Sequence, residues 1–534
     1  MDSLIMRAMQ RWPIDTVILA QASAIAIAGT GLVLGWPPYG IALAAALAAI
    51  LLLLRVRGRH ITTWMALMLG QRGTSVEAPT LLGHDVLLYP GGDACAALEV
   101  TSAPLAPTAA SPGSHAGAAP VPLAVLADAL VQYDITLSGI DVIIRGRSSA
   151  PGHPLGNAYS RILSALPIAA HRRAWIVLRL DPFAQRDAVD RRGGGARGTR
   201  QALDIAARRL QRMLRAEGLG TVRCTGATLA GLRAELDPMD RTAGIQPGAL
   251  TTDHLLRAWQ PSATESALAL SLRPGAPTSN PASATPLFEI HGVVGHAVPA
   301  SGLPRFPRTI STTGQRAVAA QALVPGSGYA AQDIVGRDGI LRVTRDDLAA
   351  LRVPVTGCGQ LVGVDQHDRA ISIPVASRSG THVRVTGQLA LAQQVVLRAA
   401  ATGAQARIAT DRPHSWQALI GLGAAGQIGL ADEPWHEPRP SDPLLLVLDG
   451  GDPAPDAPTG TTILAVEDTA RQDSTVVDSL VEPDVHIVQS PQAPQRLRLV
   501  VGSRHVDLAA VAIPEETDYV TRSSGARAVH EPAG

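Results

Sequence analysis

The stretch "TVILAQASAIAIAGTGLVLGW" (Thr16 to Trp36) runs without a charged side chain, and after Pro37 and Pro38 a second, "YGIALAAALAAILLLLRV" (Tyr39 to Val56), stays uncharged until Arg55. No other feature constrains the fold as much. About 20 consecutive apolar residues reach across a bilayer as a helix, and so short a connection forces two such helices side by side. The spacing predicts a transmembrane hairpin over 15–57, with spans at about 16–36 and 39–56. Arg7 and Arg11 precede it, Arg55, Arg57 and Arg59 follow it, and the turn holds no basic residue. The positive-inside rule then puts both termini in the cytoplasm. A cleaved signal peptide fits less well, because the first stretch is long for a signal and the second would still anchor the product. Small residues recur every fourth position, at Ala20, Ala24 and Ala28 and at Ala42 and Ala46. Such spacing lets helix backbones approach closely, within the hairpin or against a partner's helices. Residues 1–14 read as an interfacial segment on the lipid surface, and 58–80 as a basic juxtamembrane helix.

Beyond Leu81 the chain turns globular. "DVLLYPGGDACAALEVT" reads as two strands around Pro90-Gly91-Gly92. "AWIVLRLD" (Ala174 to Asp181) carries a continuous apolar run, the mark of an interior strand. Residues 102–120 and 271–286 are rich in Ala, Pro, Ser and Gly and read as a flexible loop and a linker. The linker divides a first α/β region, 81–270, from a second, 287–518, with a flexible tail at 519–534. In the second region, "THVRVTGQLALAQQVVLRAAATGAQARIAT" reads as strand (His382 to Thr386), helix (Leu389 to Ala401) and strand (Ala406 to Ala409). Runs such as "LLLVLDG" and "TTILAVED" follow, and their alternation with helices predicts a largely parallel sheet.

"RRGGGARG" contains G-x-G-x-x-G from Gly193 to Gly198, the dinucleotide fingerprint. That motif needs its glycines directly after a strand and an acid about 20 residues on. Here Asp181 ends the strand 12 positions before Gly193, and "TVRCTG" ends without an acid. The glycines more simply open the helix that follows, with Thr199 as its cap and Leu203, Ala207, Leu210 and Leu214 on one face. Arg191, Arg192, Gly193, Gly195, Arg197 and Gly198 remain a candidate anion-binding or partner-docking loop.

Every basic side chain apart from histidine is arginine; the chain has no lysine. This removes a Walker loop and a pyridoxal Schiff base, both of which need one. The net charge of +1 and the 3% aromatic content exclude the field and the stacking platform of a nucleic-acid binder. Cys95, Cys224 and Cys358 lie too far apart for a C-x-x-C pair and read as buried thiols. Asp449 and Asp468 end strands but have no base or metal partner in view, and "DQHD" (Asp365 to Asp368) reads as a turn. Asp181, Asp187 and Asp190 form no close acid pair. The sequence supplies no catalytic residue, no metal site and no cofactor.

The chain resembles the EccE family, a membrane component of the mycobacterial type VII (ESX) secretion system. The likeness lies in the order of "RGRHITTW", "YDITLSGIDVIIRG", "RRAWIVLRLDP", "RRGGGARG", "GCGQLVGVD" and "LRAAATGAQARIATDRPHSW". It implies a non-enzymatic peripheral subunit of an inner-membrane complex, beside EccB, EccC and EccD, with a glycosyltransferase-like cytoplasmic fold. It carries over no catalytic residue. A membrane-attached nucleotide-sugar transferase and a degenerate nucleotide-binding module stay open as alternatives.

Overall fold

The computed structural model describes residues 14–520 apart from short intervals, the longer being 61–78, 150–155, 160–165, 260–264, 276–286, 298–308, 436–441, 451–456 and 472–481. Residues 1–13 of the expected interfacial segment 1–14, residues 61–78 of the expected juxtamembrane helix 58–80 and residues 521–534 of the expected tail 519–534 lie outside the described residues.

Helices α1 (Ile14–Val33) and α2 (Pro38–Leu53) do fold back on one another. Gly31 allows the approach: a Cβ there would come 2.8 Å from Ile41 Cγ1. The expected membrane spans are not supported. Among the described residues no helix is long and apolar enough to cross a membrane. The 16 residues of α2 rise about 24 Å, against a hydrocarbon core of about 30 Å. Helix α1 includes Asp15 and stops three residues short of Trp36, where Gly35 turns the chain at φ +69°. The transmembrane hairpin over 15–57 is therefore corrected, and the multi-pass topology with both termini cytoplasmic loses its basis. Where a juxtamembrane helix was expected to begin, Arg59–His60 pairs antiparallel with Arg55–Val56.

The remainder is mixed α/β, built on two large sheets. In the first, β1 (Ala94–Ser102), β2 (Gly139–Arg147), β3 (His171–Leu180), β4 (Glu265–Pro274) and β5 (Phe288–Ala297) lie in the order β5-β4-β2-β3-β1, antiparallel throughout. The apolar run of β3 serves both faces. Ile176, Leu178 and Leu180 enter one core; Trp175 and Val177 enter the opposite one. Helices cover each side. Helix α3 (Arg186–Asp190) leads into α4 (Gly195–Ala216), which buries Leu203, Ala207, Leu210 and Leu214 against the first face. The segment 271–286, expected as an interdomain linker, instead begins inside β4 and spans the connection of a hairpin: β4 and β5 pair from Glu265↔Ala297 to Pro274↔Phe288.

The second sheet is parallel in one half only. Strands β6 (His382–Gly387), β7 (Gln405–Thr410), β8 (Ile428–Leu430), β9 (Leu444–Asp449), β10 (Thr462–Asp468) and β11 (Val485–Gln489) lie in the order β8-β7-β9-β10-β6-β11, all parallel. The sheet then continues antiparallel through Arg496–Val501, Arg504–Ala510, Gln360–Val364 and Ala370–Ile373. Its far edge is Thr108–Ser111 with Ser114–Ala116, from the stretch expected as a flexible loop. Helix α5 (Leu389–Ala401) is buried on nearly every side and α6 (Pro413–Ile420) packs beside it through Trp416 and Leu419.

Candidate functional site

The glycine loop joins α3 to α4. Gly193, Gly194 and Gly195 take φ of +98°, +65° and +50°, which L side chains resist. A Cβ on Gly198 would lie 2.1 Å from the Val189 carbonyl oxygen, so that position is held by close approach. Strand β3 does not feed the glycines directly, because α3 intervenes. The helix begins at Gly195, four residues ahead of the expected cap. Thr199 lies inside it and donates its hydroxyl to the Gly195 carbonyl at 2.8 Å. The loop's arginines already hold an anion, the chain's own Asp134. Arg191 donates to it at 2.9 and 3.2 Å, and Arg192 at 2.7 and 2.8 Å. Those bonds, from Arg192 first, keep the Asp134 carboxyl well below the usual carboxylate range. Arg197 is exposed.

Of the small residues in the hairpin, Ala24 and Ala28 are half-buried, on the side of α1 that carries Gly31. Ala42 and Ala46 face outward, and the side chain of Ala20 lies outside the described residues. Asp365 forms the expected turn: it accepts the His367 and Arg369 amides at 2.9 and 3.0 Å and the Arg369 guanidinium at 2.8 Å. Burial opposes its charge, but these bonds hold its pKa at about 2. Among the described residues no group of His, Cys, Asp and Glu could hold a metal ion. The three cysteines are free and buried, and burial pushes Cys95 and Cys224 up to about 12.

The arrangement richest in chemistry lies at the carboxyl ends of the parallel strands. Without the outer strand β8, the parallel strands numbered in chain order run 5-1-4-3-2 across the sheet. The connections leave β6 on one side for β7 and return past it to β11, so the direction reverses beside β6. In open α/β sheets ligands bind at such a reversal, outside the strand ends. A P-loop nucleotide triphosphatase holds phosphates with the loop between a strand and the helix that follows it, and a metal with the help of an acid. In this chain both places are filled from within. Strand β6 ends at Gly387 and α5 starts at Leu389. The Gln489 side chain lies across the gap and accepts the Gln388 amide at 2.8 Å. A Cβ on Gly387 would meet Gln489 Cβ and Oε1 at 2.7 Å, so side chain and backbone are in direct contact.

The acids Asp449 and Asp468 end β9 and β10. Arg412, in the loop after β7, spans them. It donates to Asp449 at 2.6 and 2.9 Å and to Asp468 at 2.6 Å. Asp449 also accepts from Thr410 at 2.9 Å and from Trp416 Nε1 at 2.7 Å. Both carboxylates are almost fully buried, while Arg412 is about one-fifth exposed. The Asp449 hydrogen bonds raise the Arg412 pKa above its usual range and keep the guanidinium charged. Above this cluster, Arg471 pairs with Asp411 at 2.5 and 2.8 Å. The strand-end acids are visible in the sequence, but Arg412 and Gln489 are not. Neither belongs to a spaced motif, and only the strand order brings them to the acids and to Gly387.

Residues 168–271, which contain β3, the glycine loop and α4, match the family model described as "Putative type VII ESX secretion system translocon, EccE". The chain is 25% identical over 320 residues to the ESX-1 secretion system protein EccE1 of Mycolicibacterium smegmatis, covering 55% of this chain and 65% of that protein. It is 27% identical over 201 residues to the protein of the same name from Mycobacterium tuberculosis, covering 34% of this chain and 42% of that one. The chain thus spans less than two thirds of the length of each of these relatives.

Proposed function

We propose that this chain, which these likenesses support as an EccE family member and a type VII secretion component, is a structural, non-catalytic subunit of its secretion complex. EccB, EccC and EccD are the partners the resemblance implies, and membrane association comes through that complex. The observation that carries the non-catalytic reading is the occupied crevice. The two acids placed to serve a ligand are spent on Arg412, and the helix terminus placed to receive phosphate is covered by Gln489. Catalysis needs groups free to meet a reacting atom, and these are committed to one another. Affinity purification of the tagged full chain from native membranes tests the reading. The other secretion subunits are expected to co-purify at constant ratio, and a chain recovered without any of them refutes it.

The strand order favours a second reading, a degenerate nucleotide-binding module. Fold alone carries no activity. Calorimetric titration of the full chain with ATP and Mg²⁺ separates the two: no heat is expected from a filled crevice, and a micromolar isotherm favours the second.

A further inference from the structure

Helix α4 carries six arginines and a single acid, Asp204. Arg197, Arg208 and Arg215 recur at intervals of eleven and seven residues, three turns and then two, so they lie on one line about 27 Å long. Asp204 is already shared by Arg208 at 2.8 Å and Arg223 at 2.7 Å. Arg197, Arg212 and Arg215 are exposed, and among the described residues no carboxylate pairs with them.

A rigid aromatic edge adjoins this stripe. The hairpin of Val131–Gln132 and Ile135–Thr136 turns at Tyr133 and Asp134. Tyr133 is 91% exposed and sits at φ +55°, a conformation costly for a bulky side chain. Arg209 of α4 lies over its ring at 4.5 Å. Asp134 ties the turn to the glycine loop through Arg191 and Arg192. The Thr136 amide donates to Gln185 Oε1 at 3.0 Å, which fixes the neighbouring turn. That turn presents Phe183, 69% exposed. Strain held in place by several independent bonds marks a segment kept for use. Exposed Tyr, Phe and Arg on a pre-set surface have the composition of a binding hot spot.

We propose that the outer face of α4, with Tyr133 and Phe183 at its edge, docks an acidic, apolar-flanked segment of another polypeptide. The exposed guanidiniums select carboxylates, and the two aromatics supply desolvated contact. A protein segment fits better than a lipid surface. Asp204 interrupts the stripe, and the acids Asp187, Asp190 and Glu217 stand at its ends, where a uniformly anionic plane would meet them. Most of the surface lies within residues 168–271, the part that matches the family model. That the partner is another subunit of the secretion complex rests on the function proposed above; the docking face does not.

The test uses the full chain in its native cells, with p-benzoylphenylalanine replacing Phe183, and Arg498 as control position. A crosslink to an acidic segment of a secretion subunit is expected from position 183 and none from 498. Arg212→Glu with Arg215→Glu should lower its yield at least tenfold without moving the thermal midpoint of the purified protein. Charge reversal in the crosslinked segment should restore it. A crosslink that ignores both reversals, or no crosslink at all, overturns the proposal. So does binding of the purified chain to phosphatidylglycerol–phosphatidylcholine vesicles that falls tenfold in the same variant, which would assign the face to the membrane. A charge-dependent crosslink to a protein outside the secretion system upholds the docking face and removes the functional reading instead.

Discussion

His171, half-buried, and His296, buried, are both held uncharged at neutral pH. Burial, reinforced by Arg147 for the first and Arg241 for the second, lowers their pKa values to about 3 and about 4. An unfolded imidazole takes its proton near pH 6.5. Between those limits the unfolded chain binds more protons than the folded one, so stability rises with pH. The contribution is complete above about pH 6.5 and shrinks as pH falls toward the folded values. The thermal midpoint should therefore drop between pH 7 and pH 5, before most carboxylates titrate. Replacing both histidines with glutamine should flatten that slope; an unchanged slope would place the sensitivity elsewhere. Single residues were unevenly legible beforehand. Asp365 reads as a turn former because its partners, His367 and Arg369, are its neighbours in sequence. Asp449 shows no partner in the sequence, because its main partner, Arg412, stands 37 positions away. No local rule reaches that far.

At the scale of elements, alternation of apolar runs with helical segments did identify β6, α5, β7, β9 and β10 as a parallel unit. It did not reveal their spatial order, since β6 and β7 are consecutive in the chain yet have β9 and β10 between them. The apolar N-terminal stretches were legible as two packed helices. Hydropathy alone does not set helix length, and α2 is only 16 residues long. The spatial order also explains what Arg412 does, which is to hold β7, β9 and β10 together by their ends. Arg412→Ala leaves two buried carboxylates facing each other without a cation. Breaking a buried pair costs about 3–5 kcal/mol, and partial exposure of Arg412 puts this one near about 3 kcal/mol. A divalent cation can relieve the same repulsion, with Thr410 as an added oxygen. Millimolar Mg²⁺ or Mn²⁺ should raise the thermal midpoint of the variant by several degrees and leave the wild type unmoved. Equal response of both proteins would mean that Arg412 is not standing in for a cation.

Across the whole molecule, the two sheets are not two separable halves of the chain. The composition of 271–286 reads as a linker because a hairpin connection and an interdomain connection use the same residues, Pro, Ser, Ala and Gly. The strands on either side decide between them, and β4 and β5 pair along ten positions. The ribbon Thr108–Ser111 and Ser114–Ala116 runs the other way. It leaves the first sheet after β1, pairs with Ala370–Ile373 at the edge of the second, and the chain returns to the first sheet as β2. Polar bonds join the same bodies: Arg147 to Asp442 at 3.1 Å, His171 to Thr402 at 3.2 Å, and Glu99 to Arg378 at 2.9 Å. At the far end, Glu516 is buried against Arg398 of α5 at 2.8 Å, so even the last described turn serves the second core. A chain cut at 275 would expose one side of β4, with Ala267, Leu268, Ala269 and Leu270 losing their neighbours on β5. An open apolar edge of that length invites aggregation. Residues 79–275 expressed alone should therefore be insoluble or lack a cooperative thermal transition. Residues 79–344, which restore β5 and its partner Leu341–Val343, should recover solubility in part, because the ribbon 108–116 still lacks its strand. Full recovery requires both sheets in one chain. A shorter piece, 79–275, that melts cooperatively at the midpoint of the intact protein would show instead that the linker reading was right and that β5 is an accessory to a self-sufficient domain.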